Sequence, residues 1–251
     1  MMRAFLCEIK KAHRRHDWVI IFGTLAIIAL WVGGTVLQNT KPEQLPDMYW
    51  TLLFSFPMIN TVILSLCTAV LASRIWDVEN KGNTYKLLFT LQTPDALYGS
   101  KLMLGALDVL IIVLADAAVI PLIAKMAGAT GALPLPAFGW YILSTAATSL
   151  MLFFLELVLS IAFRTQVPAL AIGLGGALIG LFSAYLPPFL GRFLPWGYFM
   201  QGLCVAMDWN QQTRITHYYQ VPYPFWTLAV LAAVSAVLIV TGRRLVLKKE
   251  V

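Results

Sequence analysis

Residues 74–101, RIWDVENKGNTYKLLFTLQTPDALYGSK, decide how this chain is read. They form the longest polar interruption that carries several positive charges, and a strongly apolar run lies on either side. Within them Tyr85, Leu87, Leu88, Phe89 and Leu91 make an apolar ridge beside Lys86. That ridge is too hydrophobic for a connection that touches only water, and a short amphipathic segment of this kind fits a membrane surface or a protein groove. The plainer reading is a solvated connection whose charges set topology alone.

Outward from this stretch, the rest of the chain is hydrocarbon-compatible or joins pieces that are. Of 251 residues, 59% are hydrophobic and 12% charged, with a mean hydropathy of +0.77. Soluble domains carry about 25% charged residues, so this composition cannot cover a water-facing surface. The fold class is all-α, a polytopic membrane protein. A transmembrane barrel needs dyad-alternating segments, whereas these runs are continuous.

Residues 1–16 are basic and amphipathic, with Phe5, Ile9 and Ala12 at helical spacing, and predict an interfacial helix. Six spans follow, at 18–37, 49–72, 102–124, 138–163, 167–186 and 223–242. Pro57 and Asn60 sit within the second, where a freed carbonyl and an amide need partners from other helices. Thr93 and Pro94 read as N-cap and first helical residue, and Pro121 predicts a bend in the third span. In the fifth, Gly176 and Gly180 form a GxxxG pair that suits close helix approach, within the chain or between chains.

Six spans put both termini on one side. That side holds fourteen Lys and Arg against four on the other, which predicts cytoplasmic termini, a cytoplasmic 74–101 loop and an outward 187–221 connection. The net charge of +6 then reflects topology, and no nucleic-acid partner is expected. Cys7, Cys67 and Cys204 are widely spaced and imply no disulfide framework.

Catalytic patterns are missing from the sequence. There is no Walker motif, no HExxH and no GxSxG, and His13, His16 and His217 lack metal-ligand spacing. Three carboxylates at membrane depth remain to be explained: Asp108, Asp116 and Glu156. Each costs about 2.5–3.5 kcal/mol on insertion scales, so each should face protein or water. Asp108 and Asp116, about 80° apart around a helix, can share one broad face. They form a polar patch lining a substrate path or gate, or Asp108 reaches the interface while Glu156 bonds to a neighbouring helix.

The amphipathic start, the six spans and the loop residues Glu79, Gly82, Thr84, Leu87 and Leu88, followed by Tyr98, Ser100 and Lys101, resemble permease subunits of type-2 ABC exporters. Within them the Tyr85-Lys86-Leu87-Leu88 run and the length look most like lantibiotic (bacteriocin) immunity permeases. One departure stands out: the family often has proline directly after the Leu-Leu-x-x-Leu run, and here Gln92 and Thr93 intervene before Pro94.

The resemblance implies a coupling helix built from Glu79, Gly82, Thr84, Tyr85, Lys86, Leu87, Leu88 and Leu91, seated in a groove of a separate ATPase. It further implies two ATPase subunits, which hold ATP and Mg, and a second permease, identical or paralogous. The chain itself would bind no cofactor and catalyse no reaction. It would sit among lipid as a multi-pass protein of the bacterial cytoplasmic membrane and expel an amphipathic antimicrobial peptide. Short re-entrant helices would precede the sixth span. There Phe193, Trp196, Tyr198, Phe199 and Trp209 are substrate-contact candidates, although an aromatic belt accounts for them equally well. Two alternatives remain: a permease of the same family for another drug or lipid-linked cargo, and a proton-coupled secondary transporter using Asp108, Asp116 and Glu156.

Overall fold

A computed structural model describes residues 2–39, 42–82, 90–163, 165–183, 186–210 and 215–248. Helix α1 (Met2–Arg15) leads into α2 (Asp17–Asn39) through His16, whose φ of 54° turns the chain. Then come α3 (Met48–Asn60), α4 (Ile63–Gly82), α5 (Pro94–Met126), α6 (Leu135–Ala162) and α7 (Gln166–Phe182). Between α7 and the final helix lie short α8 (Pro188–Gly191), a 3-10 turn (Pro195–Gly197) and α9 (Tyr198–Gln201). An antiparallel hairpin, β1 (Val205–Asn210) and β2 (Ile215–Gln220), follows. Helix α10 (Phe225–Lys248) closes the described chain.

The fold is all-α apart from that hairpin, which the apolar-run reading did not anticipate. Its strands are rich in aromatic and β-branched residues, such as Ile215, Thr216, Tyr218 and Tyr219, which favour pairing.

Among the described residues, four helices are long and apolar enough to cross a membrane: α2, α5, α6 and α10. Helices α3 and α4 make a fifth only if taken together, because they meet at 41°. The expected second span is thus broken, and the cause is local. Pro57 offers no N–H to the helix. Its carbonyl accepts both the N–H of Thr61 at 3.0 Å and the Thr61 hydroxyl at 2.9 Å. Val62 then donates to Ile59 in a tighter turn, and such back-bonding bends helices. Pro121, by contrast, lies inside α5 without ending it. Helix α7, with 17 residues, reaches about 26 Å.

The polar interruption is more helical than its composition suggests. Residues 74–82 are the last turns of α4, and 94–101 are the first turns of α5. Thr93 caps α5, accepting from the N–H of Ala96 at 3.3 Å, with Pro94 in the first turn. With 33 residues, α5 is about 50 Å long, well beyond a hydrocarbon core of about 30 Å.

Helix α6 is the centre of the bundle, packed on α10, α4 and α5, while α4 also carries α7. One apolar core lies around Trp76, Phe153 and Leu157. The other gathers Phe56, Ile120 and Trp140 nearer the hairpin.

Candidate functional site: an ion cluster at the start of α5

The first turns of α5 are held on three sides. Lys101 has no solvent exposure. Its Nζ lies 3.3 Å from Oε2 of Glu8 on α1 and 3.2 Å from Oε1 of Glu79 on α4, and it donates to the Ile75 carbonyl at 2.9 Å. Lys11, one turn beyond Glu8, donates to both carboxylates at 2.9 and 3.0 Å. Two ammonium groups thus meet two carboxylates, and the cluster is formally neutral. Burial works against the charge of Lys11, but its hydrogen bonds to Glu8 and Glu79, with their charges, more than offset this and hold its pKa above the ordinary lysine value.

Two further ties run from α5 to α10. The Tyr98 hydroxyl donates to the Ile239 carbonyl at 3.0 Å, and a side chain at Gly242 would come within 2.5 Å of that hydroxyl oxygen, so the glycine is what admits the ring. On the surface, Arg243 grips Asp95 with two bonds of 2.8 and 2.9 Å. Arg74 of α4 lies 3.6 Å from Asp17 at the start of α2. The ends of α4 and α5 are thus tied to α1, α2 and α10 through named contacts.

The residues of the expected coupling segment divide. Glu79 belongs to the cluster, Gly82 ends α4, and Leu91 is exposed. Thr84, Tyr85, Lys86, Leu87 and Leu88 lie outside the described residues. Tyr98 and Lys101 prove to be the attachment of α5, Tyr98 to α10 and Lys101 to α1 and α4, whereas Ser100 donates to the Leu97 carbonyl within α5 itself. Sequence reasoning missed Glu8. Its signal was present, a lone acid in a helix otherwise rich in Lys and Arg.

At membrane depth the carboxylates part company. Asp116 is fully buried; its Oδ2 accepts from Asn60 at 2.9 Å and from the Tyr141 hydroxyl. Asn60 also donates to the Tyr141 oxygen at 2.9 Å. This network closes the bend between α3 and α4 onto α5 and α6. Glu156 is equally buried, yet neither oxygen has a hydrogen-bond partner among the described residues. It occupies space that Gly173 leaves open, where an added carbon would sit 2.7 Å from Oε1. Along α6, Glu156 lies about 22 Å from Tyr141 at 1.5 Å per residue. Asp108 is half-buried.

Among the aromatic candidates, Phe193 is exposed, while Tyr198 and Phe199 are buried. Trp196 fills the groove over Gly176 and Gly180; a side chain at Gly180 would lie 2.7 Å from the Trp196 Cβ. The GxxxG pair thus receives an indole from its own chain. Trp209 stands opposite Thr216 in the hairpin. Among the described residues, no three His, Cys, Asp or Glu side chains assemble as metal ligands.

Among curated proteins none matches the chain. The ABC-2 family transporter protein domain matches residues 4–185. That match takes in the whole of the cluster around Lys101, the bent span, and α5 to α7, and it extends over well more than half of the sequence. The chain belongs to the ABC-2 family of transporter proteins.

Proposed function

We propose that this chain is the membrane-spanning permease of an ATP-driven exporter, with six spans and cytoplasmic termini, joined to two copies of a separate ATPase and to a second permease. The carrying observation is the buried cluster of Glu8, Lys11, Glu79 and Lys101, which binds the ends of α4 and α5 to α1. The stretch that joins α4 to α5 carries the apolar ridge read as an ATPase contact. A push on that stretch passes into both helices and into α1 together. Family membership supports the ATPase partnership, and the fourteen-to-four Lys and Arg asymmetry supports the orientation. With six spans, the fifth is α7 and the second is the bent pair.

The cargo in this reading is an amphipathic antimicrobial peptide, expelled from a bacterial cytoplasmic membrane as self-protection. The Tyr85-Lys86-Leu87-Leu88 run supports it, as does Phe193, 81% exposed on the connection before α10.

Two measurements test the proposal. The tagged chain is purified from native membranes and its companions are identified by mass spectrometry, for the wild type and for Leu87→Asp with Leu88→Asp. An ATPase bearing a Walker motif accompanies the wild type and is lost from the variant. A folded, active wild type that brings no ATPase overturns the permease reading. Growth of a sensitive host is then measured against lantibiotic-like peptides. Absence of protection by a complex that retains ATPase activity removes the peptide cargo and leaves the permease standing.

A further inference from the structure

The segment between α7 and α10 leaves a groove of about 420 Å³ that nothing above employs. It lies at the far end of the bundle from Lys101: Trp226 stands in the first turn of α10, whose other end carries Arg243 beside Asp95. Phe54 of α3, Leu203, Val205 and Trp226 make its apolar wall.

Three polar side chains also line the groove, Ser183, Arg192 and Gln201, and the Gln201 amide donates to the Gly191 carbonyl. Ser183 lines the groove, is 6% exposed, and its hydroxyl oxygen has no hydrogen-bond partner among the described residues. Burying a hydroxyl without a hydrogen-bond partner is unfavourable, so a ligand oxygen there is favoured. Arg192 lies exposed at the rim, its guanidinium carbon 5.1 Å from the centre of the Trp226 ring. A cation–π contact of this kind does not use up the five N–H donors of a guanidinium. No carboxylate among the described residues takes up those donors. Phe193 and Phe225, 81% and 66% exposed, flank this end of the bundle with surface that calls for hydrocarbon.

We propose that this groove holds one anionic phospholipid from the adjacent leaflet. Its phosphate lies on Arg192, an ester oxygen accepts from Ser183, and the first methylenes of one acyl chain lie along Phe54, Leu203 and Val205. Planar, bidentate recognition of phosphate is what an arginine fork does best, and phosphates crowd the surface of a bilayer. At about 30 Å³ per water-sized group, the volume takes a headgroup junction and part of one chain. A cationic peptide is repelled by Arg192, so this groove is separate from the path of the cargo proposed above.

The test is lipid binding by the purified full chain in detergent, read by native mass spectrometry. Phosphatidylglycerol, phosphatidylcholine and inorganic phosphate serve as probes. The wild type takes up one phosphatidylglycerol with high preference over phosphatidylcholine, and excess inorganic phosphate does not displace it. Arg192→Gln weakens phosphatidylglycerol binding about tenfold, the loss of one charge-assisted contact, while Arg192→Lys recovers part of it. Leu203→Trp, which fills the groove and keeps the charge, weakens it as well.

Equal binding by wild type and Arg192→Gln overturns the site. Full displacement by inorganic phosphate makes it a free-anion site, and displacement by a cationic peptide makes it part of the cargo path; either result overturns the lipid. Arg192 is exposed, so its replacements keep the elution profile of the wild type. No ATPase enters the measurement, so its failure is distinct from failure of the permease reading.

Discussion

Two buried acidic sites in this chain obey opposite rules. Around Lys101, two carboxylates and one ammonium group are taken out of water together, a second ammonium group, Lys11, closes the cluster from its wetter side, and each charge faces its opposite within 3.3 Å. At Glu156, a single carboxyl group is buried just as fully with no partner among the described residues. The first arrangement resists separation, because moving any member leaves its partner charged in a poor solvent. The second gains from any change that brings water or a cation to it.

The largest expected effect comes from breaking the joint. Lys101→Met leaves Glu8 and Glu79 facing each other in a dry site, with only Lys11 between them. Removing one partner from a buried ion pair costs about 3–5 kcal/mol, so the variant unfolds at a much lower temperature in detergent. Adding Glu8→Gln to Lys101→Met removes the imbalance, leaving Lys11 with Glu79 alone, and restores most of the loss. A double variant as unstable as the single one shows that Lys101 acts through packing of its stem, and the comparison with Glu156 then fails.

A smaller loss is expected at Asp116, which sits between the two extremes. It is buried like Glu156 but bonded like Glu79, to Asn60 and Tyr141. Asp116→Leu strands both partners at an expected cost of about 1–3 kcal/mol, read as a lower unfolding midpoint. Tyr141→Phe removes one donor and costs less. Equal costs for the two variants mean that Tyr141, and not Asp116, organises the bend.

At Glu156 the expected sign reverses. Glu156→Met replaces an unpartnered polar group by one of similar volume, and stability is unchanged or rises by about 1 kcal/mol. Export is measured on the same variant. A more stable protein that no longer protects its host places the carboxyl group in the working cycle. A less stable protein shows that Glu156 has a bonding role after all, and the contrast with Lys101 collapses.

The sequence made some of this legible and hid the rest for identifiable reasons. Continuous apolar runs reveal helices, and Thr93-Pro94 marks the start of α5, because both signals are local. Asn60 in an apolar run announces a need for partners, and it has two. The partners themselves, Asp116 and Tyr141, are 56 and 81 residues away, and separation along the chain carries no mark of contact. Lys101 and Glu79 stand out in the sequence only through a family resemblance, and Glu8 only as the lone acid of a basic helix. Charges at a span boundary look the same whether they are solvated or paired in a core. The break at Thr61 needs Pro57 and a back-bonding threonine acting together, and neither alone predicts it.

The smallest effect sharpens the comparison most, because it separates charge from packing inside the cluster. Lys11 is the member that water still reaches, with its side chain 36% exposed, so screening limits what its contacts contribute. Its pKa in the folded chain lies above the ordinary value of 10.5. A lysine whose pKa is raised by folding contributes stability that is fully present below the unfolded value and is lost as pH climbs through the folded one. The difference in unfolding midpoint between wild type and Lys11→Met is therefore small and constant from neutral pH up to about 10.5, and it closes only above that. Taking the difference removes the titration of the tyrosines and of the lysines remote from the cluster, whereas Lys101 shares Glu8 and Glu79 with Lys11 and does not cancel. A difference that closes near neutral pH shows that another member of the cluster, a carboxylate or Lys101, is changing its charge, and the cluster is then not the fully ionised joint that Glu156 is set against.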